Sequence, residues 1–438
     1  MRAFLTIWGG QVVSLVGTAM TRFALLIWAW EVTGKATTLA LLMFFQIGST
    51  VLISPYAGTV VDRFNRKKVM ILSDLAAGSA TLGLLVLLLT GHLAIPHLFI
   101  AAAIAGAAEA FQFPAYSAAV TLLLPKRHYA RASGMVSFAQ SGSMILGPPL
   151  AGALLPFIGY TAILAIDLST VAVAIVALLL VHVPEPERED ERGASFWQRV
   201  TFGFRYIFGR RGLLGLQTLF AVGNFLLVFG VVLRAPLILA RTGGDELALG
   251  QVMAAAGIGG ALGGATLAAW GGPRRRIVGV LTGWSLSSFG NVLLGAGRAF
   301  WTWTVGAFVY PFCLTLTNGL NQAIWQAKVP PALQGRVFSA RLLIAQASLL
   351  PAMLVAGPLA DRWLTPAMTE GGSLHDALAG WLGSGAAGGM GLLIAGTATL
   401  ALVASLVGAT SRSVRNVERD LPDHDAVVEA ASTAPATD

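Results

Sequence analysis

The sequence predicts an all-α membrane protein with twelve transmembrane helices in two pseudo-symmetric bundles of six. Its 438 residues are 55% hydrophobic and only 11% charged, whereas soluble domains are about 25% charged. Apolar segments of the length that crosses a bilayer, about 20 residues, recur along the chain. One long polar stretch, residues 184–211, divides these segments into two sets of six. A soluble globular protein is therefore excluded.

The apolar segments follow one another with short polar loops between them. The first is interpreted as a retained helix, because it is longer than the apolar core of a signal peptide and no clean cleavage site ends it. Residues 1–183 are predicted to form an N-terminal bundle from segments 4–30, 38–61, 69–89, 97–122, 132–157 and 161–183. Residues 212–411 are predicted to form a C-terminal bundle from segments 213–239, 247–270, 277–297, 300–326, 337–360 and 389–410.

Two segments lie outside the predicted bundles. Residues 184–211 form a cytoplasmic linker, in which apolar residues recur at helical spacing opposite Arg199, Arg205 and Arg210. This pattern is typical of an amphipathic helix in the membrane interface, and a linker that only keeps the bundles in register fits it equally well. Residues 412–438 are polar and lack periodicity, which predicts a disordered cytoplasmic tail.

The distribution of basic residues predicts the orientation. With a cytoplasmic N-terminus, 22 of the 29 Lys and Arg residues fall in cytoplasmic segments, four in external loops and three within helices. Cytoplasmic loops of membrane proteins carry the excess of basic residues, so both termini are predicted to be cytoplasmic. The net charge of +8 lies in these short loops, which favours membrane lipids over nucleic acid as partners.

The sequence lacks the motifs that would indicate an enzyme. The single cysteine, Cys313, permits neither an internal disulfide nor a cysteine metal site. There is no His-rich metal set, no paired-carboxylate site and no Walker-type nucleotide loop. The sequence therefore predicts a protein without cofactor or metal, and it argues against both a membrane enzyme and an ATP-driven pump.

The second half repeats features of the first at matching positions. Pro125 precedes Arg131 by six residues after the fourth segment, and Pro330 precedes Arg336 by six after the tenth. The loop after the second segment, GTVVDRFNRKK at residues 58–68, is strongly basic, and so is the loop after the eighth. Only the first loop carries an acid, Asp62. Duplicated bundles of this kind build the central sites of many transporters.

These features are similar to those of the major facilitator superfamily, whose motif between the second and third helices is matched by the loop at residues 58–68. The runs AFQFPAYSAAVTLLLP, GRVFSARLLIAQ and GPLADRW further resemble the exporter branch that contains macrolide efflux pumps and the enterobactin exporter. The resemblance covers about residues 3–410 and implies the major facilitator fold. It also implies a prokaryotic inner-membrane exporter of hydrophobic or amphipathic small molecules, functional as a monomer because one chain holds both halves.

The motif loop is predicted to act as a cytoplasmic gate. A carboxylate at the cytoplasmic mouth can pair with a facing arginine or with the N-terminus of a neighbouring helix, including the eleventh. For the basic residues, a role in topology alone is equally consistent. The predicted gate residues are Gly58, Asp62, Arg63, Arg66, Lys67 and Arg336.

The fifth segment is rich in glycine and proline. Glycines allow a neighbouring helix to approach closely, and an internal proline bends a helix. The resemblance implies more, because a Gly-Pro-x-x-Gly-Gly pattern at this place is associated with antiporters. Here Gly147, Pro148 and Gly152 carry the pattern, with Ala151 replacing one glycine. Ordinary close packing is the alternative, and an uptake symporter or a lysolipid-type flippase is the alternative function.

Ionisable residues inside membrane helices are costly and therefore indicate function. Glu109, near the middle of the fourth segment, is the main candidate for proton coupling, and a structural partner of Arg22 is the alternative role. Asp167 and Arg22 are the other two candidates for proton coupling. The family's antiporter motif in the fourth helix contains an arginine that this helix lacks.

Polar and aromatic residues near the middle of several segments are predicted to line a substrate cavity. An amphipathic pocket of this kind suits a bulky, mostly apolar molecule. Interhelical hydrogen bonds and core packing are the alternatives for each. The candidates are Gln46, Phe111, Gln112, Gln140, Asn224, Asn318, Asn321, Gln322 and Trp325.

Overall fold

The computed structural model describes residues 2–125, 129–183 and 196–421, and within these ranges every regular element is helical. The predicted linker residues 184–195 and tail residues 422–438 lie outside the described ranges. Ten of the described helices are long and apolar enough to cross a membrane. An all-α membrane protein is therefore confirmed, and the count of twelve crossings stays a prediction.

The first half of the chain forms five long helices. The fifth covers two predicted segments, and its backbone leaves helical geometry at Gly159, where φ is +71°. Glycine adopts this φ without the steric cost that a side chain would add, so the chain turns there into a second arm. The helices are α1 (Arg2–Thr33), α2 (Ala36–Arg63), α3 (Arg66–Leu89), α4 (Ile95–Leu123) and α5 (Tyr129–Leu180).

The second half begins with a short helix in the predicted linker and continues with long helices. Between the eleventh and fourteenth helices, Leu359–Leu364 form a π-helical turn. The helices are α6 (Phe196–Phe208), α7 (Arg211–Thr242), α8 (Glu246–Trp270), α9 (Arg276–Ala296), α10 (Phe300–Lys328), α11 (Pro331–Pro358), α12 (Thr365–Met368), α13 (His375–Leu382), α14 (Gly385–Thr410), α15 (Arg412–Arg415) and α16 (Val417–Asp420).

The chain folds into two compact units whose borders differ from the predicted bundle borders. The first unit contains Met1–Asp190 together with two pieces of the second half, Val232–Gly257 and Met353–Met390. The second unit contains Glu191–Val231, Ile258–Ala352 and Gly391–Asp438. Parts of α7, α8 and α11 thus pack with the N-terminal helices.

Small residues hold the helices of the first unit together. A Cβ on Gly10 of α1 would lie 2.7 Å from the Cβ of Ala177 on α5, and a Cβ on Gly106 of α4 would overlap the backbone of Gln46 on α2. Close approach of this kind is how membrane helices gain packing energy where no hydrophobic effect separates helix from lipid. It brings polar side chains on α1, α2 and α4 within bonding distance.

Aromatic residues form the core of the second unit. The rings of Phe220 and Trp284 meet edge to face with centroids 4.6 Å apart. Helix α6 joins this core, because Ile207 and Tyr206 are buried in it. The linker helix is therefore packed against protein along one face.

The chain after α14 also packs on the second unit. Val414 and Val417 are buried in its core, and the Glu418 carboxylate accepts hydrogen bonds from the backbone N–H groups of Arg276 (3.2 Å) and Ile277 (3.0 Å). Lys328 donates to the backbone carbonyls of Glu418 and Leu421. Residues 412–420, which the sequence assigned to a disordered tail, are thus helical and anchored.

Candidate functional site

An ion pair within the first unit joins α1 to α4. The guanidinium Nη2 of Arg22 lies 2.9 Å from Oε2 of Glu109, and the two side chains are 41% and 50% exposed. With its amide oxygen turned toward Arg22, Gln46 of α2 accepts two further guanidinium hydrogen bonds at 2.8 and 3.2 Å. We call these three residues the Arg22 cluster.

The local packing explains why the Arg22 cluster forms. Gly106 lies three residues before Glu109, and its missing side chain lets the backbone of α2 approach α4 at Gln46. Thr50, one turn along α2, donates a hydrogen bond to the carbonyl of Gly106 at 2.9 Å. The structure thus brings together two predicted coupling residues and one predicted cavity residue.

The Arg22 cluster places two opposite charges and an amide in contact within predicted membrane helices. Half of the Glu109 side chain is exposed. A single charge in a membrane helix is costly, so each member of the pair offsets the cost of the other.

Asp167 forms a separate buried site. It lies on the second arm of α5, is 2% exposed, and accepts hydrogen bonds from the hydroxyls of Thr18 (3.0 Å) and Thr81 (3.0 Å). These bonds tie α1 and α3 to α5. Asp167, a predicted candidate for proton coupling, therefore sits among hydroxyl donors from two other helices.

A third carboxylate, Asp74 on α3, was missed by the sequence analysis. It is 9% exposed and accepts hydrogen bonds from the side-chain amides of Gln11 (3.1 Å) and Gln112 (3.0 Å). Gln112, a predicted cavity residue, is turned into the bundle by this contact. The sequence signal that could have identified Asp74 is the presence of an acid within the apolar segment 69–89.

The glycine and proline residues of α5 lie against neighbouring backbone. Gly147 contacts Ala19 of α1, and a Cβ on Gly152 would lie 2.7 Å from the carbonyl oxygen of Glu246. A Cβ on Gly250 of α8 would lie 3.1 Å from the carbonyl oxygen of Pro148. Within the first unit, this face of α5 thus holds α1 and the start of α8 at short range.

Of the predicted gate, the side chains of Arg66 and Lys67 are described. The surroundings of Gly58 and the side chains of Asp62, Arg63 and Arg336 lie outside the described set. The Lys67 ammonium donates to the backbone carbonyls of Leu179 (3.0 Å) and Val181 (2.8 Å), at the C-terminal end of α5. A cation is favoured there by the helix dipole. Asn65 caps α3 by accepting from the N–H of Lys68 at 3.2 Å.

The cavity candidates of the second unit differ in exposure. Asn321 and Trp325 are buried in its interior, whereas Asn318 is exposed. Gln322 accepts a hydrogen bond of 2.6 Å from Arg341 on α11, whose guanidinium also lies 5.2 Å from the ring centroid of Trp325. Among the remaining candidates, Asn224 and Phe111 are partly buried and Gln140 is exposed.

A carboxylate on the π-helical turn caps α2 and was also missed. Asp361 accepts hydrogen bonds from the backbone N–H groups of Ala36 (3.1 Å) and Thr37 (2.8 Å) and from the Thr37 hydroxyl (2.6 Å). Both partners belong to the first unit. By the charge rule, this end of the unit is predicted to face outside. π-Helical turns are frequent at functional positions.

Comparisons with known proteins agree on one family. The profile of the Major Facilitator Superfamily matches residues 7–350. Macrolide efflux protein A of Streptococcus pyogenes is 27% identical over 369 residues, which cover 82% of this chain and 89% of that protein. Macrolide efflux protein A of Enterococcus faecalis is 27% identical over 65% of this chain and 89% of its own length.

Solved structures show the same fold. A bacterial homologue of the human lysosomal transporter Spinster, in an inward-facing and unoccupied conformation, has a TM-score of 0.67 at 16% identity and covers 93% of this chain and 95% of its own. The nucleoside transporter NupG has a TM-score of 0.70 at 12% identity, with coverages of 93% and 99%. Within the described residues, no group of three His, Cys, Asp or Glu side chains could hold a metal ion.

Proposed function

Because this chain belongs to the major facilitator superfamily, and is therefore a multi-pass membrane transporter and not an enzyme, we propose that it exports a hydrophobic or amphipathic small molecule in exchange for protons. Export is supported by the macrolide efflux proteins that it resembles over most of its length. We place it in the bacterial cell membrane with both termini in the cytoplasm, acting as a monomer between lipid, protons and substrate.

The observation that carries the proposal is the half-exposed ion pair between Arg22 and Glu109. In the proposed cycle, a proton entering from outside binds Glu109 and releases Arg22 from its counter-ion. Loss of that proton to the cytoplasm restores the pair. A substrate that competes for Glu109 is then exchanged for a proton, which is the requirement for antiport.

The substrate class is argued from the relatives and from the charge at the pair. The similar proteins of Streptococcus pyogenes and Enterococcus faecalis are named for macrolide efflux. Glu109 would offer its carboxylate to a cationic group that displaces Arg22. We propose a macrolide or a similar bulky compound that carries an amine able to pair with Glu109.

The test uses everted membrane vesicles and radiolabelled erythromycin. An acid-inside gradient should drive erythromycin accumulation, and an uncoupler should abolish it. Glu109→Gln should remove gradient-driven accumulation while expression is retained, and Asp376→Asn, which alters a fully exposed acid on α13, should behave as wild type. Erythromycin accumulation that does not depend on the gradient would refute proton coupling. A lack of erythromycin accumulation under every gradient would refute macrolide export.

A further inference from the structure

The site around Asp74 takes no part in the proposed cycle, although it holds a carboxylate inside a membrane helix. Asp74 is 9% exposed, and its two oxygens accept from the amides of Gln11 and Gln112. Within the described ranges no basic side chain forms an ion pair with it. Two neutral amide donors only partly replace the hydration that an ionised carboxylate loses on burial, so the charged form is costly here.

The amide of Gln112 has the geometry to serve both protonation states of Asp74. Its Nε2 donates to Asp74 at 3.0 Å and to Oε1 of Gln11 at 3.2 Å, while its own Oε1 is buried without a hydrogen-bond partner in the described structure. A half-turn of the amide would present Oε1 to a protonated Asp74 as an acceptor, and Nε2 would give up its bonds to Asp74 and Gln11. The buried oxygen, whose lack of a partner costs about 1–3 kcal/mol, would then have one.

Gln112 also links Asp74 to the Arg22 cluster. It follows Glu109 by three residues on α4, which places the two side chains on one face of the helix, about 4.5 Å apart along its axis. Among the other titratable groups on the helices around Asp74 are Tyr116 on α4, Arg22 on α1 and Asp167 on α5. Asp167 is held by Thr18 and Thr81, each seven residues and about 10 Å further along its helix than Gln11 or Asp74.

We infer that Asp74 is a second proton-carrying residue, which receives the proton of Glu109 with Gln112 as the switch between them. The inference deepens the proposed function and rests on it. The proton leaves the Glu109 carboxyl, which returns to its pair with Arg22, and it binds the Asp74 carboxylate. Gln112 exchanges its role as donor for that of acceptor and remains neutral. Asp74 then releases the proton toward the end of α3 that carries Arg66 and Lys67.

The first test measures protonation without any substrate. Purified full-length protein in liposomes is titrated while infrared difference spectra record the carboxylic C=O band. Asp74→Asn should remove one component of that band, and Gln112→Leu should shift it. Ser73→Ala is the matched control, because Ser73 is a buried neighbour whose hydroxyl donates to the carbonyl of Val69 on its own helix. A pH-dependent C=O band identical in wild type and Asp74→Asn would overturn the inference.

The second test separates Asp74 from the proposed function. In vesicles, Asp74→Asn should reduce gradient-driven erythromycin accumulation about a hundredfold or more, as loss of an acid–base group does in enzymes. Exchange of labelled for unlabelled erythromycin, which needs no net proton movement, should persist, and Asp74→Glu should recover part of the gradient-driven rate. If wild type transports without proton coupling, the proposed function fails. If wild type is coupled and Asp74→Asn is coupled equally well, only the role of Asp74 fails.

Discussion

Replacing Asp361 with alanine should weaken the capped contact between the π-helical turn and α2. Its carboxylate accepts three hydrogen bonds, at 3.1, 2.8 and 2.6 Å. Loss of an N-cap side chain costs about 0.5–2 kcal/mol, and a hydrogen bond to a charged group contributes about 1.5–3 kcal/mol. Because the three bonds share one carboxylate and are not additive, we take about 2 kcal/mol. This energy changes an equilibrium constant about thirtyfold.

The assay measures a distance across the contact. With Cys313 replaced by serine, spin labels are placed at Lys35 on the α1–α2 turn and at Arg362 on the π-helical turn, both exposed. Pulsed electron paramagnetic resonance measures the distance between the labels. It gives the ratio of molecules in which the contact is broken to molecules in which it is intact. Asp361→Ala should raise this ratio about thirtyfold. Thr37→Val, which loses only the hydroxyl bond of about 1.5 kcal/mol, should raise it about twelvefold.

The reasoning is refuted if Asp361→Ala leaves the distance distribution of the wild type unchanged. It is also refuted if Thr37→Val opens the contact as far as Asp361→Ala does, because the effect would then not follow the number of hydrogen bonds. Binding of the proposed substrate should move the ratio in wild type only if this contact opens during transport.

Three further predictions follow from the packing and the charge distribution. Glu418→Ala should lower the free energy of unfolding in detergent by about 1 kcal/mol through loss of the α9 cap, whereas Asp420→Ala on the same turn should leave it unchanged. Gly152→Val should destabilise the protein by about 1–3 kcal/mol in a thermal-shift assay, because the new side chain would meet backbone. Gly142→Val should be tolerated, because a side chain there would point into open space. Green fluorescent protein fused to the C-terminus should fluoresce and an alkaline phosphatase fusion should be inactive, and the opposite pattern would reverse the predicted orientation.

Much of the fold could be predicted from the sequence because bilayer thickness dictates helix length. The structured segments follow the apolar runs, and the break at Gly159 falls in the short gap predicted between residues 157 and 161. The ion pair between Glu109 and Arg22 was also foreseen as one of two roles for Glu109. Charges in apolar helices are rare, so each has few partners to choose from.

The missed residues share a physical cause. Asp74 was counted as part of an apolar segment, because the average hydropathy of a segment stays high when it contains one acid among many aliphatic residues. Asp361 and Glu418 each cap a helix that begins far away in sequence, at Ala36 and Arg276. Such caps depend on how distant segments meet in space, which no local pattern records. The same reason explains why residues 412–420 were assigned to a disordered tail.

The anchoring of α9 and α10 by Glu418 and Leu421 has a consequence for the design of shortened variants. The Glu418 carboxylate holds the first turn of α9, and the carbonyls of Glu418 and Leu421 hold Lys328. A variant cut directly after α14 would keep every long helix of the second unit and lose all four of these hydrogen bonds. Residues 412–421 therefore belong to the folded unit in any expression design.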